Sequence, residues 1–414
     1  MNEAARTESA DAVPSASEPA PLPLLEPREG TPDPVVSDAG LSKAAAALAA
    51  GTGPVAVDAE RASGYRYGQR AYLVQLRRAG AGTILIDPMR CPDLSTVDAA
   101  LADAEWVLHA ASQDLPCLLE IGMRPRRLFD TELAGRLAGF ERVGLGIMVE
   151  QVLGLTLEKG HSAADWSTRP LPPEWLTYAA LDVEVLIELR DALEAELDGQ
   201  GKLGWAQEEF AALVAAPPAE ARVDPWRRTS GIHRIRSPRG LAIVRHLWET
   251  RDRVARERDT GPGRILPDSA IVAAAQANPA SADALLALPV FGGRANRRQV
   301  GVWYAAIEQA RALADDALPA ARRSIDGPPP VHRWRDREPE AAGRLAAAKG
   351  AVAAIATEHC LPVENLISPD LVRRLSWEPP DVVTPDSVGQ ALRAGGAREW
   401  QVALTAGPLA DALG

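Results

Sequence analysis

The stretch Val55–Glu60 constrains the fold of this chain more than any other feature. It is a β-branched apolar run that ends in two carboxylates, Asp58 and Glu60. Because side chains alternate between the two faces of a strand, both acids should project from the same face near one end of it. Neighbouring carboxylates repel each other unless water or a cation screens them. The stretch therefore predicts a solvated acidic turn or, if further acids converge on it, a cation site.

The length and composition predict a soluble protein with several domains. A chain of 414 residues, with 46% hydrophobic and 24% charged residues, is long enough for two or three domains. No apolar run approaches the roughly 20 residues of a membrane span, and no signal peptide precedes the first domain. Three widely spaced cysteines form neither a zinc spacing nor a disulfide framework. We therefore expect a cytoplasmic monomer without a membrane or an obligate protein partner.

The formal net charge of −11 argues mildly against a surface coated in positive charge for nucleic acid. Charge acts locally, however, and a cluster of acids can belong to a metal site. The net charge therefore does not exclude a protein that acts on nucleic acid.

Changes in composition and hydrophobic pattern divide the chain into five segments. The first is rich in Pro, Ala, Ser and acidic residues without apolar periodicity, so it should be disordered. A mixed α/β pattern follows, then a linker rich in Arg and Pro, and then two groups of short helices, the second a looser copy of the first. The segments are residues 1–40, 41–210, 211–238, 239–315 and 331–414, in that order.

The α/β segment is predicted to fold as a mixed sheet covered by helices. Three strand-like runs near 55–60, 71–77 and 83–87, joined by tight connections, indicate an antiparallel meander. Helical patterns then alternate with further strand-like runs, which is typical of an α/β sheet. Leu, Ile and Val recur at helical spacing from Pro172 to Glu196, which predicts one long helix.

Three other polar positions could join the carboxylates of the first strand. Asp114 stands where a strand gives way to a helix, a place where polar groups gather in α/β sheets. Tyr178 and Asp182 are four residues apart and hence on one face of the long helix. Taken alone, Asp114 is explained as an acid in the first turn of a helix and the other two as a solvated helix pair. Together with Asp58 and Glu60, they form an ordered set of four acids and one phenol.

This combination resembles the DEDD exonuclease superfamily, and within it the tyrosine-containing branch that includes the ribonuclease D family. The segment 240–313 is similar to the helical HRDC domain that RecQ-type helicases and ribonuclease D share. The resemblance implies a ribonuclease H-like exonuclease domain of mixed sheet, followed by one clear and one divergent HRDC-like helical domain. The matching stretches in the α/β segment are 57–60, 109–115 and 178–183, with 67–76, 129–131 and 157–167 around them.

The resemblance also implies a metal-dependent reaction with a role for each residue of the set. Asp58, Glu60 and Asp182 would hold a divalent cation beside the attacking water. Asp58 would bridge to a second cation, and Asp114 would help through a water. Tyr178 would orient the attacking water, because an ordinary pKa of about 10 makes a phenol a poor general base. Two divalent cations suit phosphodiester hydrolysis, and a set of oxygen ligands favours Mg²⁺ or Mn²⁺ over zinc.

Seven residues near these motifs are candidates for substrate contact. The polar loop 65–72 could stack on the terminal bases or reach the backbone, and a loop before the long helix could contact phosphate. An ordinary exposed loop explains these positions equally well, and His109 alone is more typical of a packed core histidine. Trp226 and His233 lie among the arginines of the linker and could line part of an RNA track. The seven candidates are His109, Tyr67, Gln69, Arg70, Lys159, His161 and Arg169.

These features predict a metal-dependent 3′-5′ exoribonuclease that acts on RNA with a free 3′ end. The resemblance implies tRNA precursors as substrates, tRNA 3′ maturation as the process and nucleoside 5′-monophosphates as products. Two alternatives stay open at this point. The same acids could serve a 3′-5′ DNA exonuclease, because they do not read the ribose 2′-hydroxyl. The chain could also be a catalytically silent RNA-binding adaptor whose site no longer binds metal.

Overall fold

A computed structural model describes residues 21–157, 160–218, 220, 222–321 and 327–414 of the chain. Within these residues, the α/β domain contains a short parallel pair of strands and one larger sheet. The strands are β1 (Leu22–Leu24), β2 (Thr52–Arg61), β3 (Ala71–Ala79), β4 (Gly82–Ile86), β5 (Glu105–Leu108), β6 (Arg127–Asp130) and β7 (Leu155–Leu157).

The larger sheet is mixed, as the sequence predicts. Its strand order is β4-β3-β2-β5-β6. The pairs β2/β3 and β3/β4 are antiparallel and form the predicted meander, whereas β2/β5 and β5/β6 are parallel. β2 is therefore the central strand, with its backbone bonded on both sides over part of its length.

Helices pack against this sheet. α6 contacts β2, β3 and β4, and α7 contacts α4 and the strands β2 and β5. Val183 of α6 and Leu186 of α7 both pack against Ala56 and Val107 of the sheet. The helices of the α/β domain are α1 (Asp38–Ala50), α2 (Ser95–Ala100), α3 (Leu115–Glu120), α4 (Thr131–Ala138), α5 (Leu145–Leu153), α6 (Pro173–Glu184), α7 (Leu186–Gly199) and α8 (Leu203–Ala215).

The long helix predicted from Pro172 to Glu196 is in fact two helices. α6 ends and α7 begins at Val185, whose φ of −100° and ψ of −10° interrupt the helical geometry. The apolar periodicity runs through this point without a glycine or proline to mark it. The break arises because the two halves pack against different neighbours, α6 against the meander and α7 against α4.

The N-terminal segment corrects the prediction of disorder over residues 1–40. Residues 1–20 lie outside the described residues, but those that follow are structured. β1 pairs with β7, and the Leu22 amide donates to the Gly154 carbonyl at 2.9 Å. Val35 then forms a bridge with Ile86 at the edge of the sheet. Backbone pairing holds this segment, and such pairing leaves no apolar periodicity in a proline-rich sequence.

Two groups of helices follow the α/β domain and its linker, whose first residues continue α8. No described helix is long and apolar enough to cross a lipid bilayer. The first helical domain consists of α9 (Pro238–Glu257), α10 (Pro262–Ile265), α11 (Asp268–Ala277), α12 (Ala282–Leu286), α13 (Arg294–Arg298) and α14 (Val300–Ala312). The second helical domain consists of α15 (Trp334–Arg337), α16 (Pro339–Glu358), α17 (Val363–Leu366), α18 (Pro369–Trp377), α19 (Pro385–Ala394) and α20 (Glu399–Leu413).

The two helical domains relate differently to the hydrophobic core of the α/β domain. Apolar side chains of the second helical domain are continuous with that core. The first helical domain has a core of its own, which includes Phe291 and Trp303. Trp226 of the linker belongs to this core and is only 2% exposed, which corrects the expectation that its ring lines an RNA track. A large indole ring gains more free energy from burial in this core than from exposure at the surface, so it is not available to stack on bases.

Candidate active site

β2 places Asp58 and Glu60 on one face at the centre of the sheet. Asp58 lies opposite Gln75 of β3, and Glu60 lies opposite Leu73. β2 pairs with the parallel strand β5 only at residues 55–56. The two acids therefore lie just beyond that pairing, at the carboxyl end of the parallel strands, where clefts form in α/β sheets.

A strained turn after β5 positions Asp114 near Asp58 and Glu60. Ala110 has the left-handed φ of 60°, which is uncommon for a residue with a side chain. The Asp130 carboxylate stabilises this turn, because it accepts hydrogen bonds from the Ala110 and Ala111 amides at 3.0 and 2.9 Å. A 3₁₀ turn at 111–113 then leads to Asp114, which is 5% exposed.

Arg61 supports Asp114 from the end of β2. Its guanidinium donates to the Gln113 carbonyl at 2.9 Å and lies 3.4 Å from an oxygen of Asp114. The sequence patterns missed both Arg61 and Asp130 as parts of the site. The sequence did offer a signal for each residue. Arg61 directly follows the Asp-x-Glu motif, and Asp130 stands between a strand and a helix.

Helix α6 contributes Tyr178 and Asp182, one turn apart on the face that meets β2. The Asp182 carboxylate lies near enough to the Tyr178 phenol for its charge to raise the pKa of the phenol. One carboxylate oxygen each from Asp58, Glu60 and Asp182 lie within 4.8 Å of one another. The structure thus brings together acids that are more than a hundred residues apart in the chain.

All four acids and Tyr178 line one cleft of about 750 Å³. The walls of the cleft come from the ends of β2 and β5, from α6 and from the residues that lead into α5. Of the predicted site residues, His109 also lines it, whereas Arg61, Glu132 and Arg136 line it without having been predicted.

Burial and mutual repulsion set the electrostatics of the cleft. Burial raises the pKa values of Asp58, Glu60 and Asp182, and for the last two the neighbouring carboxylates raise them further. The pKa of Asp114 rises to about 8 through burial and the Asp58 charge, against the opposing effect of Arg61. Burial, followed by the Asp182 charge, also raises the pKa of the Tyr178 phenol. Negative charge concentrated in a partly buried cleft favours a bound cation.

The three closest carboxylates fit a divalent cation. Oxygen ligands on one Mg²⁺ lie about 3–4 Å apart, because each Mg–O distance is about 2.1 Å. Oxygens already within 4.8 Å of one another reach that spacing through small side-chain rotations. The donor set consists of carboxylate oxygens, which suits Mg²⁺ or Mn²⁺.

His109 forms part of the cleft wall as a neutral imidazole. Its Nδ1 lies 2.9 Å from the Thr131 hydroxyl, which itself reaches the Leu108 carbonyl at 3.2 Å. Burial lowers the pKa of His109 to about 4. A contact between this side chain and substrate stays a prediction.

The loop before α6 reaches the site through aromatic packing. The His161 ring lies edge-on to Tyr178, with 5.7 Å between centroids, and 5.8 Å from Trp175. Its neighbours Gly160 and Ser162 line the cleft. Lys159 lies outside the described residues. His161 is therefore placed to support the phenol, and its contact with phosphate stays a prediction.

The loop between β2 and β3 faces the first helical domain rather than the cleft. The Tyr67 hydroxyl donates to Asp252 of α9 at 2.9 Å, and Arg70 donates to Asp259 at 2.7 Å. The Gly261 amide donates to the Tyr65 carbonyl at 2.9 Å. Gly261 approaches so closely that a Cβ there would lie 2.2 Å from the Gly64 carbonyl oxygen.

These contacts give Tyr67 and Arg70 a role in joining domains, and their role in substrate binding gains no support. Gln69 accepts a hydrogen bond from Ser63 within the same loop at 2.8 Å. The sequence did not indicate this use of the loop, because the partners lie about 190 residues further along the chain.

Arg169 holds its loop against the sheet through hydrogen bonds and an ion pair. Its guanidinium forms a two-pronged ion pair with Asp87 at 2.8 and 2.9 Å and donates to the Tyr72 carbonyl at 2.7 Å. Two further bonds go to the Trp166 and Thr168 carbonyls. The predicted contact with phosphate therefore gains no support from the geometry.

Three family models match the chain. A 3′-5′ exonuclease model matches residues 33–198, and an HRDC domain model matches residues 240–307. A model described as the 3′ to 5′ exonuclease C-terminal domain matches residues 327–413. The second helical domain thus matches a model of its own, and its likeness to an HRDC domain stays a prediction.

Relatives and solved structures extend the likeness over most of the chain. Ribonuclease D of Gluconacetobacter diazotrophicus is 32% identical over 339 residues, which cover 79% of this chain and 82% of the relative. A crystal structure of a protein from Bifidobacterium adolescentis is 39% identical, with a TM-score of 0.87 over 95% of this chain and 99% of the other. The structure of Escherichia coli RNase D is 27% identical, with a TM-score of 0.68 over 92% and 98% of the two chains.

Proposed function

Because the chain belongs to the ribonuclease D family and is a 3′-5′ exoribonuclease, we propose that it trims the 3′ ends of tRNA precursors and releases nucleoside 5′-monophosphates. The convergence of three carboxylate oxygens within 4.8 Å beside Tyr178 carries the catalytic part of this proposal. The similar RNase D of Escherichia coli is described as an exoribonuclease involved in structured RNA processing, which supports a structured RNA such as a tRNA precursor.

The acids of the cleft would hold two divalent cations, Mg²⁺ or Mn²⁺. Asp58, Glu60 and Asp182 would hold one, and Asp58 together with Asp114 would hold the other. Bound there, the cations would lower the pKa of a water and neutralise charge on the scissile phosphate. Arg61 would keep Asp114 turned toward the cleft through its contacts with the Gln113 carbonyl and the Asp114 carboxylate.

Tyr178 would orient the attacking water without taking its proton. Its phenol stays protonated at neutral pH, because burial and the Asp182 charge raise its pKa. A protonated hydroxyl can donate to Asp182 and accept from a water, which fixes the direction of attack. Attack at the terminal phosphorus breaks its bond to the 3′ oxygen, so the phosphate leaves on the 5′ carbon of the released nucleotide.

A cleavage assay with an isosteric variant tests this proposal. With Mg²⁺ and a tRNA precursor carrying a 3′ extension, the wild-type protein should release nucleoside 5′-monophosphates stepwise. Asp58→Asn keeps the shape of the side chain and should abolish release. Asp198→Asn, which removes an exposed acid at the end of α7, is the matched control and should cleave normally. Unchanged cleavage by Asp58→Asn would remove the assignment of the site.

Comparison of substrates tests the RNA specificity. RNA and DNA oligonucleotides of one sequence, cleaved side by side, should differ in kcat/KM in favour of RNA. Equal or faster cleavage of DNA would favour the alternative of a DNA exonuclease. Sequencing of RNA 3′ ends from host cells with and without the protein should show extended tRNA 3′ ends when it is absent, and unchanged tRNA ends would contradict the tRNA part of the proposal.

A further inference from the structure

Glu184, the last residue of α6, is a buried acid that the proposed reaction does not use. Its side chain is fully buried, and among the described residues neither carboxylate oxygen has a hydrogen-bond partner. Arg77 of β3 lies 3.1 Å from one oxygen, and Arg28 of the N-terminal segment lies 3.9 Å from the other. The charge is therefore held by ion pairs from two sides, from the sheet and from the N-terminal segment.

A buried ion pair of this kind is a poor source of stability. Removal of two charges from water costs about as much as their attraction returns, and an apolar pair of the same volume often serves as well. The pair instead restricts orientation, because the carboxylate has to stay within reach of the guanidinium. The Arg77–Glu184 pair thus fixes one point of α6 relative to β3.

The anchored point lies on the side of α6 away from the cleft. At 100° per residue, Glu184 points about 160° away from Asp182 around the helix axis. Thr177 lies two turns before Glu184 on the same side, and its hydroxyl is 2.9 Å from that of Thr31 in the N-terminal segment. The back of α6 is therefore held at both ends of one stripe, while its front presents Tyr178 and Asp182 to the acids of β2.

A small rotation of α6 would matter at the cleft. Side-chain tips lie roughly 5–6 Å from a helix axis, so a 20° rotation moves the Asp182 carboxylate by about 2 Å. Metal–ligand distances tolerate deviations of about 0.2 Å. Apolar side chains, among them Ala180 and Val183, also pack α6 against the sheet. The Arg77–Glu184 pair adds a directional contact to this non-directional apolar packing.

Arg28 forms a second contact at the break between α6 and α7. The same guanidinium that approaches Glu184 also donates to Glu188 in the first turn of α7 at 3.0 Å. It therefore ties the end of α6 to the start of α7 across Val185. Its side chain is about half exposed, so its share should be smaller than that of Arg77.

From these contacts we propose that Glu184, paired with Arg77, is a positioning residue that sets the rotation of α6 and so holds Asp182 and Tyr178 in register with Asp58 and Glu60. The inference rests on the proposed cation site, whose ligands include Asp182. Glu184 does not touch the reacting atoms and acts through the helix that carries them.

Mn²⁺ binding to the full-length protein, followed by electron paramagnetic resonance, tests the inference without reference to turnover. Glu184→Gln and Glu184→Asp should each weaken Mn²⁺ binding by on the order of 10-fold, in the range seen for residues that orient metal ligands. Both variants should lower kcat for RNA while KM stays within about twofold, because the RNA contacts are unchanged. All measurements are made well below the melting temperature of each variant.

Two comparisons separate positioning from a general loss of stability. Leu392→Ala, in the core of the second helical domain, lowers the melting temperature without touching α6 and should bind Mn²⁺ as the wild type does. Arg77→Met should weaken Mn²⁺ binding too, and the double variant Arg77→Met/Glu184→Gln should be no worse than the more affected single variant. If Glu184→Gln does not fold, Glu184→Asp and Arg77→Met still decide the question.

Each outcome separates the inference from the proposed function. Wild-type affinity for Mn²⁺ in the folded Glu184 and Arg77 variants, or additive effects in the double variant, would overturn the positioning role. Equal Mn²⁺ binding by wild type and Asp58→Asn would overturn the cation site itself. Weaker binding in the Glu184 variants together with none in Asp58→Asn is the expected result.

Discussion

The two helical domains are joined to the nuclease domain in opposite ways. The second helical domain shares its hydrophobic core, and Trp400 of α20 stacks on Trp205 of α8 with 5.0 Å between ring centroids. Buried Lys202 adds hydrogen bonds to the carbonyls of Leu137 and His359, at 2.9 and 2.7 Å, one from each domain. We therefore expect the nuclease domain and the second helical domain to unfold together as one shared unit.

The first helical domain keeps its own core and meets the nuclease domain through polar contacts. The ion pair between Arg70 and Asp259 and the hydrogen bond between Tyr67 and Asp252 are half-exposed examples. Exposed ion pairs contribute little and weaken with salt. From this difference we expect the second helical domain to contribute to the stability of the nuclease domain, whereas the first helical domain should separate from it more easily.

The largest expected effect comes from removal of one buried tryptophan in each domain. Trp400→Ala should destabilise the shared unit by about 3–5 kcal/mol, because it leaves a large cavity. Trp303→Ala removes an equally large ring from the separate core of the first helical domain and should lower a different transition. Scanning calorimetry measures the two transitions, and an RNA cleavage assay accompanies it. If both variants shifted one common transition by the same amount, the division between the shared unit and the first helical domain would be contradicted.

Addition of Mg²⁺ should sharpen the same division. At 100 times its Kd, a ligand that binds only the folded state adds about 2.7 kcal/mol. Mg²⁺ should therefore raise the melting transition of the shared unit and leave that of the first helical domain unchanged. Scanning calorimetry with and without EDTA measures both transitions, and a Mg²⁺ effect on the first helical domain alone would count against the site.

Asp182→Asn should abolish this Mg²⁺ effect and stabilise the metal-free protein at neutral pH. Burial and the Asp58 charge raise the pKa of Asp182 in the folded state. A carboxyl with a raised folded pKa costs nothing below its unfolded pKa of about 4 and costs stability increasingly as pH rises above it. A melting temperature of the metal-free variant below that of wild type at pH 7 would contradict this.

Lys202→Met should cost about 2 kcal/mol, since it removes two hydrogen bonds donated by a charged group to carbonyls at the junction with the second helical domain. The loss should depend on pH, because burial lowers the pKa of Lys202 below its usual value. The unfolded chain then binds a proton that the folded chain has released, so wild-type stability should rise relative to the variant as pH approaches about 10. Denaturant titrations at pH 7 and pH 9.5 measure the two differences.

The smallest effect should come from the polar junction. Arg70→Ala should cost about 0–1 kcal/mol and lower the salt concentration at which the first helical domain separates from the nuclease domain. Small-angle scattering across a salt series detects that separation as a larger radius of gyration. Arg253→Ala, which breaks an exposed pair within α9, is the matched control and should leave the salt dependence unchanged.

Much of the architecture follows from local sequence patterns. The meander and the mixed sheet are confirmed because alternation of apolar side chains and tight turns are local signals. Strand alternation places Asp58 and Glu60 on one face of β2, and the four-residue spacing places Tyr178 and Asp182 on one face of α6. These local features can be read directly from the sequence. The meeting of these two pairs with Asp114 in one cleft is a long-range feature that only the family resemblance indicated.

The missed features depend on contacts between distant parts of the chain. The break at Val185 arises from different packing partners of α6 and α7, and no residue at that point signals it. Tyr67 and Arg70 pair with acids in the first helical domain, so their polar loop resembled a substrate loop. Asp130 and Arg61 support the active site through hydrogen bonds to the turn after β5, and these bonds depend on how the chain folds in three dimensions.

The close approach between Gly261 and Gly64 has a consequence for sequence drift in this chain. A methyl group at position 261 would meet a backbone oxygen, and no substitution at position 64 can remove a backbone oxygen. A single nucleotide change that replaces Gly261 would therefore force the two backbones apart at this point while every charged residue of the junction stays in place.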